Sequence, residues 1–207
     1  LKIAHEVREA EPISLDRQIL RALRHKEHPD RVIGPWWVGK AARDVTSLGS
    51  TTVLAFVTLS VAGGLVLARR RMRAVLVLAA TGSGALLSRV LKLLFARPRP
   101  DLLPQLDRVR TASFPSGHSL VSAVVYLTVA VIVAQAVERK RMKLYILSVA
   151  LLATFLVGVS RVFVGVHFPT DVVAGWLLGL AWALLWALTI VWAWGGRRAG
   201  EPAVETE

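Results

Sequence analysis

Five long apolar stretches restrict the folds open to this chain of 207 residues. They lie near residues 48–68, 74–95, 117–137, 143–162 and 170–194. A helix needs about 20 consecutive, mostly apolar residues to cross a bilayer, and each stretch has about that length. The pattern therefore predicts an all-α fold, a polytopic transmembrane helix bundle.

The composition agrees with a membrane protein. A mean hydropathy of +0.52 occurs together with a net charge of +12, which is typical of a membrane protein with basic loops. The basic residues flank the apolar stretches and do not form one stripe, which argues against nucleic-acid binding. The absence of cysteine from the sequence excludes disulfides and thiolate metal sites.

Basic residues beside the apolar stretches predict the orientation in the membrane. Clusters at 69–73, 139–143 and 197–198 fall on one side of five alternating spans, and the positive-inside rule makes that side cytoplasmic. The loops 96–116 and 163–169 then lie on the opposite side. Loop 96–116 is itself basic, which conflicts with the rule at this position. We therefore expect some of its arginines to bind a ligand and not to determine the topology.

Five spans that end in the cytoplasm place the N-terminal segment outside it. Such a charged segment needs help to cross, so we expect a sixth span upstream of Leu1. Residues 13–26 have the pattern of an amphipathic helix, which lies on the outer interface or forms a solvated connector. Its apolar face would carry Leu15, Ile19, Ala22 and Leu23, and its polar face Arg17, Arg21, Arg24 and Lys26. The predicted regions are an extracytoplasmic amphipathic segment (1–47), a transmembrane core (48–195) and a disordered cytoplasmic tail (196–207).

Small residues recur at four-residue spacing in the last apolar stretch. They are Gly175, Gly179, Ala183 and Ala187. Small side chains on one helix face let helices approach closely, so we expect this face to pack inside the bundle.

The first of three polar clusters surrounds the end of the second apolar stretch. Lys92 lies near that end, and Arg99 follows between Pro98 and Pro100. The prolines end the helix and hold the chain extended, which presents both cations at the membrane edge. Arginine grips an oxyanion in bidentate fashion and lysine adds a point charge, so the pair indicates an anion site. Alternatively, Lys92 snorkels and the arginines are ordinary loop residues.

The second cluster is Pro115-Ser116-Gly117-His118, directly before the third apolar stretch. Ser116 is a candidate N-cap, and Gly117 lets a ligand approach the backbone closely. Free N–H groups and the helix dipole attract anions at such a position, and His118 lies in the same turn. The structural alternative is a capped helix with an incidental histidine.

The third cluster contains Ser160-Arg161, His167 and Asp171. A carboxylate four residues after a histidine can accept a hydrogen bond from one ring nitrogen. The other nitrogen is then unprotonated and nucleophilic, as in a catalytic triad. A purely structural His–Asp pair in a turn is the alternative. All three clusters fall on the side of the membrane opposite the basic clusters, which favours one phosphate pocket with its own nucleophile and acid.

Three motifs occur in order between Lys92 and Asp171: Lys-x6-Arg-Pro, Pro-Ser-Gly-His and Ser-Arg-x5-His-x3-Asp. In this the chain resembles the type 2 phosphatidic acid phosphatase family, whose superfamily also includes glucose-6-phosphatase and the vanadium haloperoxidases. Every motif position is matched. Residues 1–47 and the tail contribute nothing to the resemblance.

The resemblance implies a role for each motif residue. His167 would attack phosphorus and form a phosphohistidine, Asp171 would orient it, and His118 would protonate the leaving oxygen. Ser160 would have a supporting role. The family works without a metal, so we expect neither a metal nor another cofactor. The phosphoryl oxygens would be held by Lys92, Arg99, Ser116, the Gly117 amide and Arg161.

We therefore expect a membrane phosphatase whose partners are a phosphorylated lipid and the bilayer, not nucleic acid; the residues do not define an oligomeric state. A lipid phosphotransferase with the same intermediate remains an alternative. A non-catalytic lipid-phosphate binder is disfavoured because binding needs only the cations, and a haloperoxidase because the related peroxidases are soluble. The Ala, Val and Arg usage favours a bacterial inner membrane, with the site facing the periplasm or exterior.

Overall fold

The structure, a computed structural model, describes residues 14–28, 31–100 and 111–198. Helices form all the regular elements of this part of the chain, which confirms the all-α prediction. Most of the predicted tail lies outside the described residues. The helices are α1 (Ser14–Ala22), α2 (Trp37–Ser47), α3 (Thr51–Leu67), α4 (Arg71–Phe95), α5 (Gly117–Gln135), α6 (Lys140–Val164) and α7 (Pro169–Arg198).

Four of these helices, α4 to α7, are long and apolar enough to cross a membrane. Helices α2 and α3 meet at a bend of 44° and qualify together as a fifth, broken span. The predicted first span, 48–68, is therefore shorter as a helix, because Ser50 caps α3 by accepting a hydrogen bond from Val53 N at 3.3 Å. Helix α2 was not predicted, since charged residues at 40, 43 and 44 interrupt its apolar pattern. The sixth span upstream stays a prediction.

Helix α5 lies at the centre of the bundle, packed against α4, α6 and α7. The small residues of α7 allow this contact, as expected. A Cβ atom at Gly175 would lie 2.8 Å from the carbonyl oxygen of Ser116, and one at Gly179 only 2.6 Å from that of Leu120. Only glycine lets the two helices approach this closely.

Helix α1 packs against the bundle with only part of the predicted apolar face, since Ile19 and Leu23 contact the core. Leu15 and Ala22, assigned to the apolar face, are exposed. Arg24, assigned to the polar face, is buried, as are Asp16 and Leu20. Asp16 and Arg24 are buried because they form hydrogen bonds to the ends of the long helices.

The connections between the long helices place the polar clusters at one end of the bundle. The chain from α4 to α5 and the short loop from α6 to α7 meet there, where Ser116 N donates a hydrogen bond to Asp171 O at 3.0 Å. This bond joins the first turns of α5 and α7, so the second and third clusters are in direct contact.

Candidate active site

His167 lies in the short loop between α6 and α7. Helix α6 ends at Gly165, which adopts a left-handed conformation with φ of 83°, a backbone angle that glycine tolerates best. Helix α7 begins at Pro169, where the fixed φ of proline suits the first helical position. Two adjacent helix ends therefore hold His167, and its side chain is buried.

The two ring nitrogens of His167 have different neighbours. Nδ1 lies 3.5 Å from Oδ2 of Asp171, and Nε2 lies 3.2 Å from Nη1 of Arg99. A guanidinium has donors only, so Nε2 acts as the acceptor and the ring proton belongs on Nδ1, toward the carboxylate. This is the tautomer that leaves Nε2 with a free electron pair for attack.

The surroundings of His167 keep the imidazole neutral. Burial lowers the pKa of His167 to about 3; Asp171 opposes this shift, while Arg99 and Arg161 contribute to it. A neutral imidazole is the form that can act as a nucleophile.

Asp171 is completely buried and has three donors besides His167. Arg97 Nη1 donates to Oδ1 at 2.6 Å, Phe168 N donates to Oδ2 at 3.0 Å, and the Ser113 hydroxyl also donates to Oδ2. A buried carboxylate is stable only with such partners. Neither Arg97 nor Ser113 is among the site residues predicted from the sequence. Arg97 could have been found, because alternate residues of an extended segment lie on one side and Arg99 is two positions away; nothing in the sequence marks Ser113.

Backbone and side-chain oxygens hold the three predicted phosphate-binding cations in place. Lys92 Nζ donates to Ala112 O at 2.6 Å, and Arg99 Nη1 donates to the carbonyl oxygen of residue 166 at 2.7 Å. Arg161 Nη1 donates to the hydroxyl oxygen of Thr46, on α2, at 2.8 Å. Lys92, Arg99 and Arg161 lie close enough to His118 for their charges to act on it. The structure thus brings the cations and both histidines into one region.

The start of α5 completes this region. A Cβ atom at Gly117 would lie 3.4 Å from Cε of Lys92, which places the Gly117 amide beside the lysine. Ser116 is the N-cap, as predicted, and its buried hydroxyl accepts a hydrogen bond from Ser119 Oγ at 2.9 Å. Ser160 is also buried and donates to the carbonyl oxygen of residue 157 at 2.6 Å. Both serines therefore support the ends of helices that carry the site.

These features define a class: a helical membrane protein in which cations surround a buried, neutral histidine that a carboxylate orients. Comparison with known proteins agrees. Phosphatidylglycerophosphatase B of Bacillus subtilis is 36% identical over 146 residues, which cover 70% of this chain and 71% of the relative.

Two crystal structures resemble the fold. The transmembrane PAP2-type phosphatidylglycerolphosphate phosphatase of Bacillus subtilis superimposes with a TM-score of 0.80 at 31% identity, covering 91% of this chain and 90% of the other. LpxE of Aquifex aeolicus gives a TM-score of 0.62 at 25% identity, covering 86% of this chain and 94% of the other.

The chain belongs to the PAP2 superfamily, whose family model matches residues 73–195. It is accordingly an integral membrane protein and an enzyme of the lipid phosphatase class, a phosphoric monoester hydrolase.

Proposed function

We propose that the protein is a metal-independent lipid phosphate phosphatase that removes a phosphomonoester or pyrophosphate headgroup through a phosphohistidine at His167. The observation that carries this proposal is the environment of the imidazole. Nδ1 faces a fixed carboxylate, while Nε2 lies 3.2 Å from Arg99 Nη1. An anion held by Arg99 would therefore lie next to the unprotonated nitrogen.

The reaction follows from this placement. Nε2 of His167 attacks phosphorus while the bond from phosphorus to the lipid oxygen breaks, and His118 gives its proton to that oxygen. Water then attacks the phosphohistidine, returns a proton to His118 and releases phosphate. Stabilisation of the charge on the transferred group comes from Lys92, Arg99, Arg161 and the Gly117 amide, with Ser116 and Ser160 in support.

The location of the reaction is part of the proposal. The basic clusters at 69–73 and 139–143 lie at the opposite helix ends from the site, which supports a site on the extracytoplasmic side. In a bacterial inner membrane this side faces the periplasm or exterior. The acyl chains of the substrate would stay among the helices while the headgroup entered the cation-lined region.

The experiment that tests the reaction is a phosphate-release assay in detergent with a metal chelator present. The panel contains phosphatidylglycerophosphate, suggested by the Bacillus relatives, phosphatidate, an isoprenyl diphosphate and a phosphorylated glycolipid. We expect release from at least one lipid despite the chelator. Loss of release on chelation would contradict metal independence, and transfer of the phosphoryl group to a second lipid would identify a phosphotransferase.

The intermediate is tested with substrate labelled at phosphorus. The wild type should acquire an acid-labile, base-stable label, and the His167→Ala variant should acquire none and lose turnover. His25→Ala, at an exposed histidine outside the site, is the matched control and should behave like the wild type. Turnover retained in His167→Ala would exclude this residue as the nucleophile.

A further inference from the structure

Arg97 connects the carboxylate of the active site to a second buried carboxylate. Its Nη1 donates to Asp171 Oδ1 at 2.6 Å, and its Nη2 lies 3.3 Å from Asp16 Oδ2. The guanidinium also lies over the ring of Phe168, 4.6 Å from its centroid. Arg97 is thus held between two negative charges, which distinguishes it from Arg99, whose Nη1 faces the nucleophile.

Asp16 fixes the start of α7 as well. Its Oδ1 accepts a hydrogen bond from Thr170 N at 3.0 Å, and its Oδ2 accepts one from Thr170 Oγ1 at 2.6 Å. The first N–H groups of a helix have no partner inside that helix. A side chain from α1 therefore caps α7 one residue before Asp171.

The other end of α1 is attached to the end of α6. Arg24 Nη1 donates to Phe163 O at 2.7 Å. Between these two attachments, the buried side chain of Leu20 packs with Phe168 and Val172. Segment 16–24 thus crosses the loop that carries His167 and contacts the chain on both sides of it.

We propose that Asp16 and Arg97 are positioning residues for the His167–Asp171 pair, and that segment 16–24 holds the nucleophile loop in its reactive geometry. The proposal rests on the proposed function of His167 and adds two residues outside the motifs. Burying Asp16 is unfavourable without strong partners, and all three of its hydrogen-bond contacts go to Arg97 and Thr170. Removing the Asp16 carboxylate would take a partner from Arg97 Nη2 and the cap from Thr170 N, leaving Arg97 with its Nη1 bonds to Asp171 and Thr170 Oγ1. Arg97 would then fix the orientation of Asp171 less firmly.

The test compares Asp16→Asn, Arg97→Gln and the double variant in the phosphate-release assay. Each single variant should lower kcat by about 10- to 100-fold with little change in KM, because a misplaced nucleophile affects the chemical step more than binding. The double variant should be no slower than the slower single variant, since both residues act through one connection. The controls are Asp44→Asn and Arg43→Gln, which remove the same charges from exposed positions outside segment 16–24.

A milder variant covers the case in which the charge changes prevent folding. Thr170→Val keeps the shape of the side chain and removes only its hydroxyl, which donates to Asp16 Oδ2 and accepts from Arg97 Nη1 at 3.0 Å. Because the charges of Asp16 and Arg97 remain, kcat should fall by a smaller factor with the melting temperature retained. The proposal is overturned if kcat in folded variants matches the controls, if only KM rises, or if the single losses multiply in the double variant. Failure of the proposed function is distinct, because it would appear as turnover in His167→Ala.

Discussion

At the scale of single residues, the protonation of His167 couples the site to folding. In an unfolded chain a histidine binds its proton near pH 6.5, whereas burial lowers the pKa of the folded His167 to about 3. Between these values the unfolded state binds more protons than the folded state. The stability contributed by neutral His167 is therefore complete above about pH 6.5 and is lost as the pH falls toward 3.

This coupling predicts how acid affects the melting temperature. In detergent, the stability of the wild type should fall more steeply below pH 6.5 than that of the His167→Asn variant. The difference in slope should correspond to the uptake of up to one additional proton on unfolding. Thermal unfolding measured between pH 7.5 and pH 4 checks this. His25→Asn, at an exposed position, should keep the slope of the wild type. Parallel curves for the wild type and His167→Asn would show that this imidazole is not buried in its neutral form.

The residues of the site could be predicted from the sequence where a short-range sequence pattern marks them. Spacing along one turn indicated the His167–Asp171 pair, and the prolines around Arg99 indicated the first cation cluster. The hydrogen bonds of Asp171 with Arg97 and Ser113 join positions 74 and 58 residues apart. The two-residue spacing from Arg99 is a local signal for Arg97, but no local pattern indicates Ser113 or the contacts with Asp171. Asp16 was missed for the same reason, because its burial depends on where α1 packs.

At the scale of elements, the contact between α5 and α7 sets the geometry of the site. Asp171 lies in the first turn of α7, and Gly175 lies one turn further along the same face. A Cβ atom at Gly175 would be 2.8 Å from both Ser116 O and Ser119 Cβ. Backbone at this distance must shift, so an added methyl group would separate the two helices where they hold the proposed catalytic residues.

Gly175→Ala should therefore destabilise the fold by about 1–3 kcal/mol and lower kcat as well. Thermal unfolding and phosphate release in detergent measure the two effects. Gly63→Ala in α3 is the control, because no atom outside its own helix lies within 4 Å of the added methyl group and alanine favours a helix by up to about 1 kcal/mol. Equal behaviour of the two variants would contradict the close contact.

The long helices were largely predictable, because an apolar stretch of about 20 residues indicates a membrane-spanning helix directly. The predicted stretch 117–137 corresponds to α5 within two residues, and 74–95 to α4 within three. Helix α2 and the complete packed face of α1 were not predictable. Both combine charged and apolar side chains, so their burial follows from specific tertiary contacts and not from periodicity.

At the scale of the whole molecule, the distribution of charge leads to the proposed orientation. The turn between α3 and α4 and the turn between α5 and α6 are rich in arginine and lysine, and both lie at the helix ends remote from His167. The loop residues Arg97 and Arg99 are also basic, but Arg97 forms a hydrogen bond with Asp171, and Arg99 lies beside His167. Counting these two arginines as topology signals would mislead, and leaving them out reduces the conflict between loop 96–116 and the positive-inside rule.

The orientation can be tested with introduced cysteines, because these 207 residues contain none. Single cysteines are introduced at Lys26, near α1, and at Arg141, near the start of α6, both of which are exposed. In intact cells, a membrane-impermeant maleimide should label Lys26→Cys at once and Arg141→Cys only after permeabilisation. The reverse pattern would place the site in the cytoplasm and would contradict the proposed orientation.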